Sequence, residues 1–209
     1  MHTKQIISVG KPLNEADKAL IMVHGRGGSA DDILSLANYL QVTDFALLAP
    51  QATNNTWYPY SFLAPVAENE PWLSSALAVL KEVVADVKAQ GIADENIYFL
   101  GFSQGACLTL EFVTRNAGTY GGVMAFTGGL IGDTINTDNY TGDFGGTPVF
   151  IGTSDPDPHV PVERVHATAE ILTKMNARVI KKIYKNMGHT ISQDEINTAN
   201  EEVLNTSVQ

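Results

Sequence analysis

The stretch IYFLGFSQGACLTLEF, residues 97–112, decides the fold. Its first six residues form an apolar run typical of a buried strand, and from residue 104 the apolar residues recur at helical spacing. The junction GFSQG at 101–105 matches the Gly-x-Ser-x-Gly pattern of a nucleophile elbow, whose glycines leave room for a sharply turned Ser103. A tight turn uses the same residue types, so the nucleophile interpretation requires a base and an acid elsewhere in the chain.

Composition restricts the class of protein. The chain has 209 residues, 44% of them hydrophobic, which fits a single domain spanning 1–209. Its formal charge of −10 argues against a nucleic-acid partner. No apolar run approaches the ~20 residues of a membrane span, and residues 1–10 lack the pattern of a signal peptide. The single cysteine, Cys107, excludes a disulfide within the chain and fits a reducing compartment, so we expect a cytoplasmic protein.

Alternating strand and helix patterns predict the architecture. Strand-like runs lie at 5–9, 19–23, 45–49, 97–102, 122–126, 149–152 and 179–184, and helical patterns at 30–40, 72–90, 104–115, 162–175 and 192–204. This order predicts an α/β fold, in which helices cover both faces of a mostly parallel sheet. Two longer connections, 54–71 and 128–147, leave the carboxyl-terminal edge of that sheet, where ligands bind in open α/β folds.

The base is sought among the histidines after Ser103, because the chain order in this arrangement is serine, acid, histidine. His166 falls within a helical pattern and is expected on its solvent-exposed face. His159 lies too close in sequence to the candidate acids to sit opposite them. His189 lies in the loop KNMGHTIS after the last strand, where a base would reach Ser103, and we assign it this role.

The acid is expected in GTSDPDPHVP, residues 152–161, directly after a strand. Asp155 and Asp157 are both available, and the prolines of this loop would fix the direction of a carboxylate. We favour Asp157 and keep Asp155 as the alternative. The loop lacks the further ligands of a calcium site, and we expect neither a metal nor a cofactor.

The turn HGRGG, residues 24–28, admits two interpretations. In a serine hydrolase it supplies a backbone N–H to the oxyanion hole, paired with the N–H of the residue after the nucleophile, which assigns Arg26 and Gln104. Gly25-x-Gly27-x-x-Ala30 also fits a dinucleotide-binding fingerprint. That fingerprint needs an acid at the end of the next strand, whereas Asp44 stands at its beginning, so the dinucleotide alternative is disfavoured.

With these motifs in place, the chain resembles the phospholipase/carboxylesterase family of the α/β-hydrolase fold, which includes carboxylesterases and acyl-protein thioesterases. The resemblance rests on HGRGG, APQA, WYPYSF, GFSQGA, TGGL, DPDPHVP and MGHTI, which follow the family's order over nearly the whole chain. It implies Ser103, Asp157 and His189 as a catalytic triad, with Arg26 and Gln104 as oxyanion donors. It also implies a small-molecule ester substrate, with thioesters and lysophospholipids as further options.

The resemblance further implies an apolar acyl groove beside the connection at 54–71, which is rich in aromatic residues and is called the aromatic connection below. Candidate walls of this groove are Trp57, Tyr58, Tyr60 and Phe62, each of which could equally pack in the core. Cys107, one helical turn after Ser103, is expected to be a small core residue.

Three questions stay open at this level. Thioesterases of the family place Leu-Gly-Asp after the first His-Gly, whereas this chain has Arg26 followed by two glycines, which weakens an assignment to lipidated proteins. The Arg26 side chain either pairs with Asp31 or Asp32 or faces the substrate, and we favour the surface pair. The alternative class of function is a catalytically inactive hydrolase used as a binding module, although no triad member is missing here. A homodimer is compatible with the sequence.

Overall fold

The computed structural model of the chain describes residues 1–205. Its centre is a seven-stranded sheet formed by β1 (Ile6–Gly10), β2 (Lys18–Val23), β3 (Phe45–Pro50), β4 (Ile97–Phe102), β5 (Gly122–Phe126), β6 (Pro148–Asp155) and β7 (Arg178–Lys185). The order is β1-β3-β2-β4-β5-β6-β7, with β1 antiparallel to β3 and every other neighbour parallel. The predicted mostly parallel sheet is confirmed. β6 is longer than expected because its last three residues continue to pair with β7.

Helices cover both faces of this sheet. They are α1 (Ala30–Leu34), α2 (Val66–Asn69), α3 (Trp72–Ala89), α4 (Gln104–Arg115), α5 (Val162–Lys174) and α6 (Gln193–Ala199). The patterns at 30–40 and 192–204 are α-helical only in their first parts, since the 3-10 turn Ser35–Tyr39 follows α1 and the π-helical turn Asn200–Leu204 follows α6. Sequence analysis missed α2, which lies inside the aromatic connection. Within residues 1–205, no helix has the length and apolarity to cross a membrane.

The core has two halves, one on each side of the sheet. Along β2, Ile21 and Val23 belong to the half packed against α3, α4 and α5, whereas Leu20 and Met22 belong to the half packed against α1 and α6. Side chains of a strand alternate between the two faces, and both faces of β2 are buried. This explains why the strand is a continuous apolar run in the sequence.

The direction of strand progression reverses between β2 and β4. β3 and β1 lie on one side of β2, whereas β4, β5, β6 and β7 follow in chain order on the other. Open α/β sheets bind ligands in the crevice outside such a switch point, at the carboxyl ends of the strands. The turn after β2 and the serine after β4 therefore lie where the fold itself favours a site.

Candidate active site

Ser103 occupies the sharp turn between β4 and α4. Its backbone has φ 54° and ψ −118°, a strained conformation for a residue other than glycine. A Cβ on Gly101 would lie closer than 3.0 Å to backbone atoms of Gly105, and a Cβ on Gly105 would lie equally close to the Val23 carbonyl. The two glycines are therefore required by close backbone contact, as the elbow pattern predicts.

Ser103, His189 and Asp157 form one hydrogen-bonded chain. The Oγ of Ser103 lies 2.8 Å from Nε2 of His189, and Nδ1 of the same ring lies 2.8 Å from Oδ2 of Asp157. The three residues come from the ends of β4, β7 and β6, and 86 positions separate the serine from the histidine. The structure thus brings together the three residues that the sequence nominated.

The carboxylate of Asp157 is held from both sides. Its Oδ1 accepts hydrogen bonds from the backbone N–H groups of His159 (2.8 Å) and Val160 (2.9 Å), while Oδ2 faces His189. Burial alone would raise the pKa of the Asp157 carboxyl, but these hydrogen bonds and that of His189 outweigh it and lower the pKa below its usual value. Asp155 is exposed at the end of β6 and makes no such contact.

Of the other two histidines after Ser103, His166 lies exposed on its helix as expected, and His159 lies beside the candidate site. His166 is exposed on α5, with its Nδ1 2.6 Å from Nζ of Lys181. His159 supports Asp157 through its backbone N–H, and its ring packs edge-on against the His189 ring at a centroid distance of 4.9 Å. Phe102 contacts the same imidazole, with ring centroids 5.3 Å apart. Sequence reasoning missed this flanking of His189 by two rings.

Ser154 is a second residue that sequence reasoning missed. Its fully buried hydroxyl donates to the carbonyl of Pro156 (3.0 Å) and accepts from the backbone N–H of Gly188 (3.0 Å). The backbone N–H of Asn186 also donates to the carbonyl of Asp155. These contacts join the loop that carries the acid to the loop that carries the histidine. A serine at a strand end gives no sequence signal for this role.

Two residues that line the cavity with Ser103 have backbone N–H groups without an acceptor among residues 1–205. Gln104 is the first residue of α4, and the N–H groups of a first helical turn have no acceptor within the helix. Arg26 lies in the turn after β2, and within the described residues its N–H likewise has no acceptor. These are the two donors nominated from the sequence.

The Arg26 side chain makes three hydrogen bonds to a neighbouring segment of the chain. Nη1 donates to the Thr56 hydroxyl (3.0 Å) and the Pro59 carbonyl (2.9 Å), and Nη2 donates to the Tyr60 carbonyl (2.7 Å). The expected surface pair with Asp31 or Asp32 is wrong, because Asp32 accepts from Ser29 in the capping box of α1. The guanidinium instead binds the aromatic connection.

The aromatic connection forms one wall of a cavity of about 910 Å³ that contains Ser103 and His189. Tyr58, Tyr60 and Phe62 line it, as expected. Trp57 does not, and its assignment to the acyl groove is wrong: it is fully buried behind the loop, where its indole N–H donates to the His24 carbonyl. Further lining residues that the sequence did not suggest include Leu63, Phe102, His159 and Val160.

Cys107 contributes to the floor of this cavity although it is 1% exposed. Burial raises the pKa of its thiol to about 12, so the thiol is protonated and does not compete with Ser103 as a nucleophile. The second long connection, 128–147, contributes no lining residue, contrary to the expectation from its position at the sheet edge. Within residues 1–205 no group of three or more His, Cys, Asp or Glu side chains is placed to hold a metal ion.

Comparison with known proteins identifies the family. The model of the phospholipase/carboxylesterase family matches residues 4–207. The chain belongs to this family. The crystal structure of a phospholipase/carboxylesterase from Dyadobacter fermentans superposes with a TM-score of 0.96 at 59% identity, covering 97% of each chain. The family identification and this neighbour show that the sheet described above is an α/β-hydrolase fold.

More distant relatives agree with this assignment. A probable carboxylesterase SOBER1-like of Arabidopsis thaliana is 29% identical over 85% of this chain and 74% of its own length. Acyl-protein thioesterase 1 of Kluyveromyces lactis is 28% identical over 91% of this chain and 92% of its own. This family member is therefore an enzyme of the class that hydrolyses ester bonds.

Proposed function

We propose that the chain hydrolyses carboxylic esters through Ser103 as nucleophile, His189 as general base and acid, and Asp157 as the group that orients the imidazole. The observation that carries the proposal is the continuous chain of 2.8 Å contacts from Ser103 through His189 to Asp157. A nucleophile within hydrogen-bond distance of a base, itself oriented by a third group, is the geometry that activates a serine.

The reaction proceeds in two halves. Ser103 Oγ attacks the ester carbonyl carbon while Nε2 of His189 takes its proton, and the same proton then passes to the leaving alkoxide as the tetrahedral intermediate collapses to an acyl-enzyme. A water molecule repeats the attack, giving its proton to His189, and Ser103 recovers a proton as the carboxylic acid leaves. Asp157 keeps the proton of the neutral ring on Nδ1 and stabilises the imidazolium that forms in each half.

The negative charge of each tetrahedral intermediate falls on the former carbonyl oxygen. We assign the backbone N–H groups of Arg26 and Gln104 as its donors, supported by their free state beside Ser103. Each such donor contributes about 3 kcal/mol of transition-state stabilisation in serine hydrolases that have been mutated. The position of Gln104 at the amino terminus of α4 adds the favourable end of the helix dipole.

The cavity indicates the substrate class. Tyr58, Phe62, Leu63 and Val160 offer apolar surface near Ser103, which suits an acyl chain of short to medium length. Thioester cleavage is the second candidate reaction, favoured by similarity to the Kluyveromyces lactis acyl-protein thioesterase 1. The same acyl-enzyme would serve both reactions, since only the leaving group differs.

A serine-directed fluorophosphonate and a series of nitrophenyl esters of increasing acyl length test this proposal. We expect one adduct per chain, on Ser103, and saturable hydrolysis of the esters that Ser103→Ala abolishes. An adduct elsewhere with Ser103 unmodified would contradict the nucleophile assignment. Labelling without turnover of any ester or matched thioester would favour the inactive binding module instead.

A further inference from the structure

Both polar atoms of the Gln104 side-chain amide bind the aromatic connection. Its Oε1 accepts from the Trp57 backbone N–H (2.8 Å), and its Nε2 donates to the Tyr58 carbonyl (2.9 Å). The residue is 6% exposed, so these bonds form away from water. Gln104 therefore combines a backbone N–H assigned to the oxyanion with a side chain bound to residues 57 and 58.

Arg26 has the same double function. Its backbone N–H is the other assigned oxyanion donor, and its guanidinium holds the carbonyls of Pro59 and Tyr60. The next residue, Gly27, donates its N–H to the Asn55 carbonyl (2.7 Å). The turn after β2 is thus attached to the aromatic connection by both its backbone and its side chain.

The Thr56 hydroxyl links these two attachments. Its Oγ1 accepts from Nη1 of Arg26 at 3.0 Å and lies 3.3 Å from Oε1 of Gln104 and 3.2 Å from the Tyr58 carbonyl. A hydroxyl has one proton to donate, so it serves one of these two acceptors at a time. Tyr58 itself accepts from Gln104, so either choice keeps Thr56 within the same network.

We propose that Thr56 is a positioning residue that fixes the separation of the two oxyanion donors. Arg26 and Gln104 belong to different elements, the turn after β2 and the start of α4, yet their N–H groups must converge on one oxygen atom. Donors of this kind act only when held to within about 0.5 Å of the productive position. Arg26, Thr56 and Gln104 form a side-chain hydrogen-bonded link between the two elements, which both also bind the backbone of the aromatic connection. The proposal rests on the oxyanion assignment made under the proposed function.

A kinetic split separates positioning from a general structural role. Thr56→Val removes the hydroxyl and keeps the shape of the side chain. We expect kcat to fall about ten- to hundred-fold, less than or comparable to the loss of a whole donor, with KM within about two-fold because the acyl walls remain. The inhibition constant of a trifluoromethyl ketone, whose adduct on Ser103 mimics the tetrahedral intermediate, should rise in proportion to the loss of kcat/KM. That of the product carboxylic acid should not.

Conservative and matched variants complete the test. Thr56→Ser restores the hydroxyl and should return kcat to within about two- to three-fold of the unaltered enzyme. Thr53→Val is the control, because Thr53 immediately precedes the same connection and its hydroxyl has no hydrogen bond within residues 1–205. It should leave kcat and the ketone affinity unchanged.

The network can also be tested from its other end, which keeps the proposal falsifiable if Thr56→Val folds poorly. Gln104→Met keeps the backbone donor and the side-chain length but removes both amide groups, and it should reproduce the kcat loss. The double variant Thr56→Val/Gln104→Met should lose less than the product of the two single effects, since both act through one connection.

Multiplicative losses, a kcat for Thr56→Val within two-fold of the unaltered enzyme, or equal weakening of ketone and product binding would overturn the proposal. Failure of the underlying function would show differently, as absent turnover or a Ser103-independent reaction in the unaltered enzyme.

Discussion

Asp157→Asn tests the proposed mechanism most directly, because the surroundings of the carboxylate dictate how the amide must sit. Oδ1 receives two backbone N–H groups, from His159 and Val160, and only an oxygen can replace it there. The amide nitrogen is therefore forced into the place of Oδ2, where it points its N–H at Nδ1 of His189. The imidazole must then accept at Nδ1 and carry its proton on Nε2.

The magnitude follows from this change of tautomer. With a proton on Nε2, the ring donates to Ser103 and cannot remove the proton from its hydroxyl. The equivalent exchange in a serine protease lowers kcat about 10⁴-fold, which corresponds to about 5 kcal/mol of transition-state stabilisation. We expect a loss of the same order here, with little change in KM because the asparagine Oδ1 keeps its hydrogen bonds from His159 and Val160 and so leaves the acyl walls in place.

The assay is hydrolysis of a short nitrophenyl ester at pH 7.5, with active sites counted by fluorophosphonate titration over extended times. Asp155→Asn is the matched control, since it makes the same exchange two residues away on an exposed side chain, and its kcat should stay within two-fold. A folded Asp157→Asn enzyme that keeps more than a tenth of its kcat would refute the reasoning. So would an Asp155→Asn enzyme with the larger loss.

Three further outcomes are expected. Gly105→Ala should lower the free energy of unfolding by about 1–3 kcal/mol in urea titrations, because its Cβ would meet the Val23 carbonyl. Gly118→Ala should be nearly neutral, because its Cβ would make only an ordinary contact with the Tyr120 ring at 3.9 Å. Burial lowers the pKa of His24 below its usual value of 6.5, so the folded state binds fewer protons than the unfolded one. The contribution of His24 to the free energy of unfolding should therefore be fully present above pH 6.5 and be lost as the pH falls below that value. The loss of stability at low pH should be less steep in His24→Asn. Prolonged dialysis against EDTA should leave kcat unchanged, and a loss reversed by zinc would contradict the metal-free mechanism.

The sequence predicts the sheet and the three linked side chains well, for a common physical reason. Strands buried on both faces must be apolar throughout, so each appears as an unbroken run regardless of its neighbours. The elbow requires glycine on both sides of Ser103 because of close backbone contact, and this requirement appears in the sequence as the pattern Gly-x-Ser-x-Gly. His189 and Asp157 then follow from their positions after strands, since parallel strands end at one edge.

The sequence does not predict contacts that depend on the path of a connection. Arg26 was expected to pair with a nearby acid, but Asp32 is occupied by the cap of α1, and carbonyls about thirty positions away take the guanidinium. Trp57 and Tyr58 are adjacent aromatic residues, yet only Tyr58 faces the cavity. Which of the two neighbours is buried is set by the hydrogen bonds that Trp57 donates to Oε1 of Gln104 and to the His24 carbonyl, and no local pattern encodes them.

The buried thiol of Cys107 is a natural chemical probe of local opening around the site. Because the thiol is protonated and only 1% exposed at the floor of the cavity, alkylating reagents should reach it only when the cavity walls or α4 move. Its rate of alkylation therefore measures how often this part of the molecule opens while every residue of the site is still present. Filling the cavity with a covalent inhibitor on Ser103 should slow this alkylation, so the alkylation rate of Cys107 reports whether the site above it is occupied.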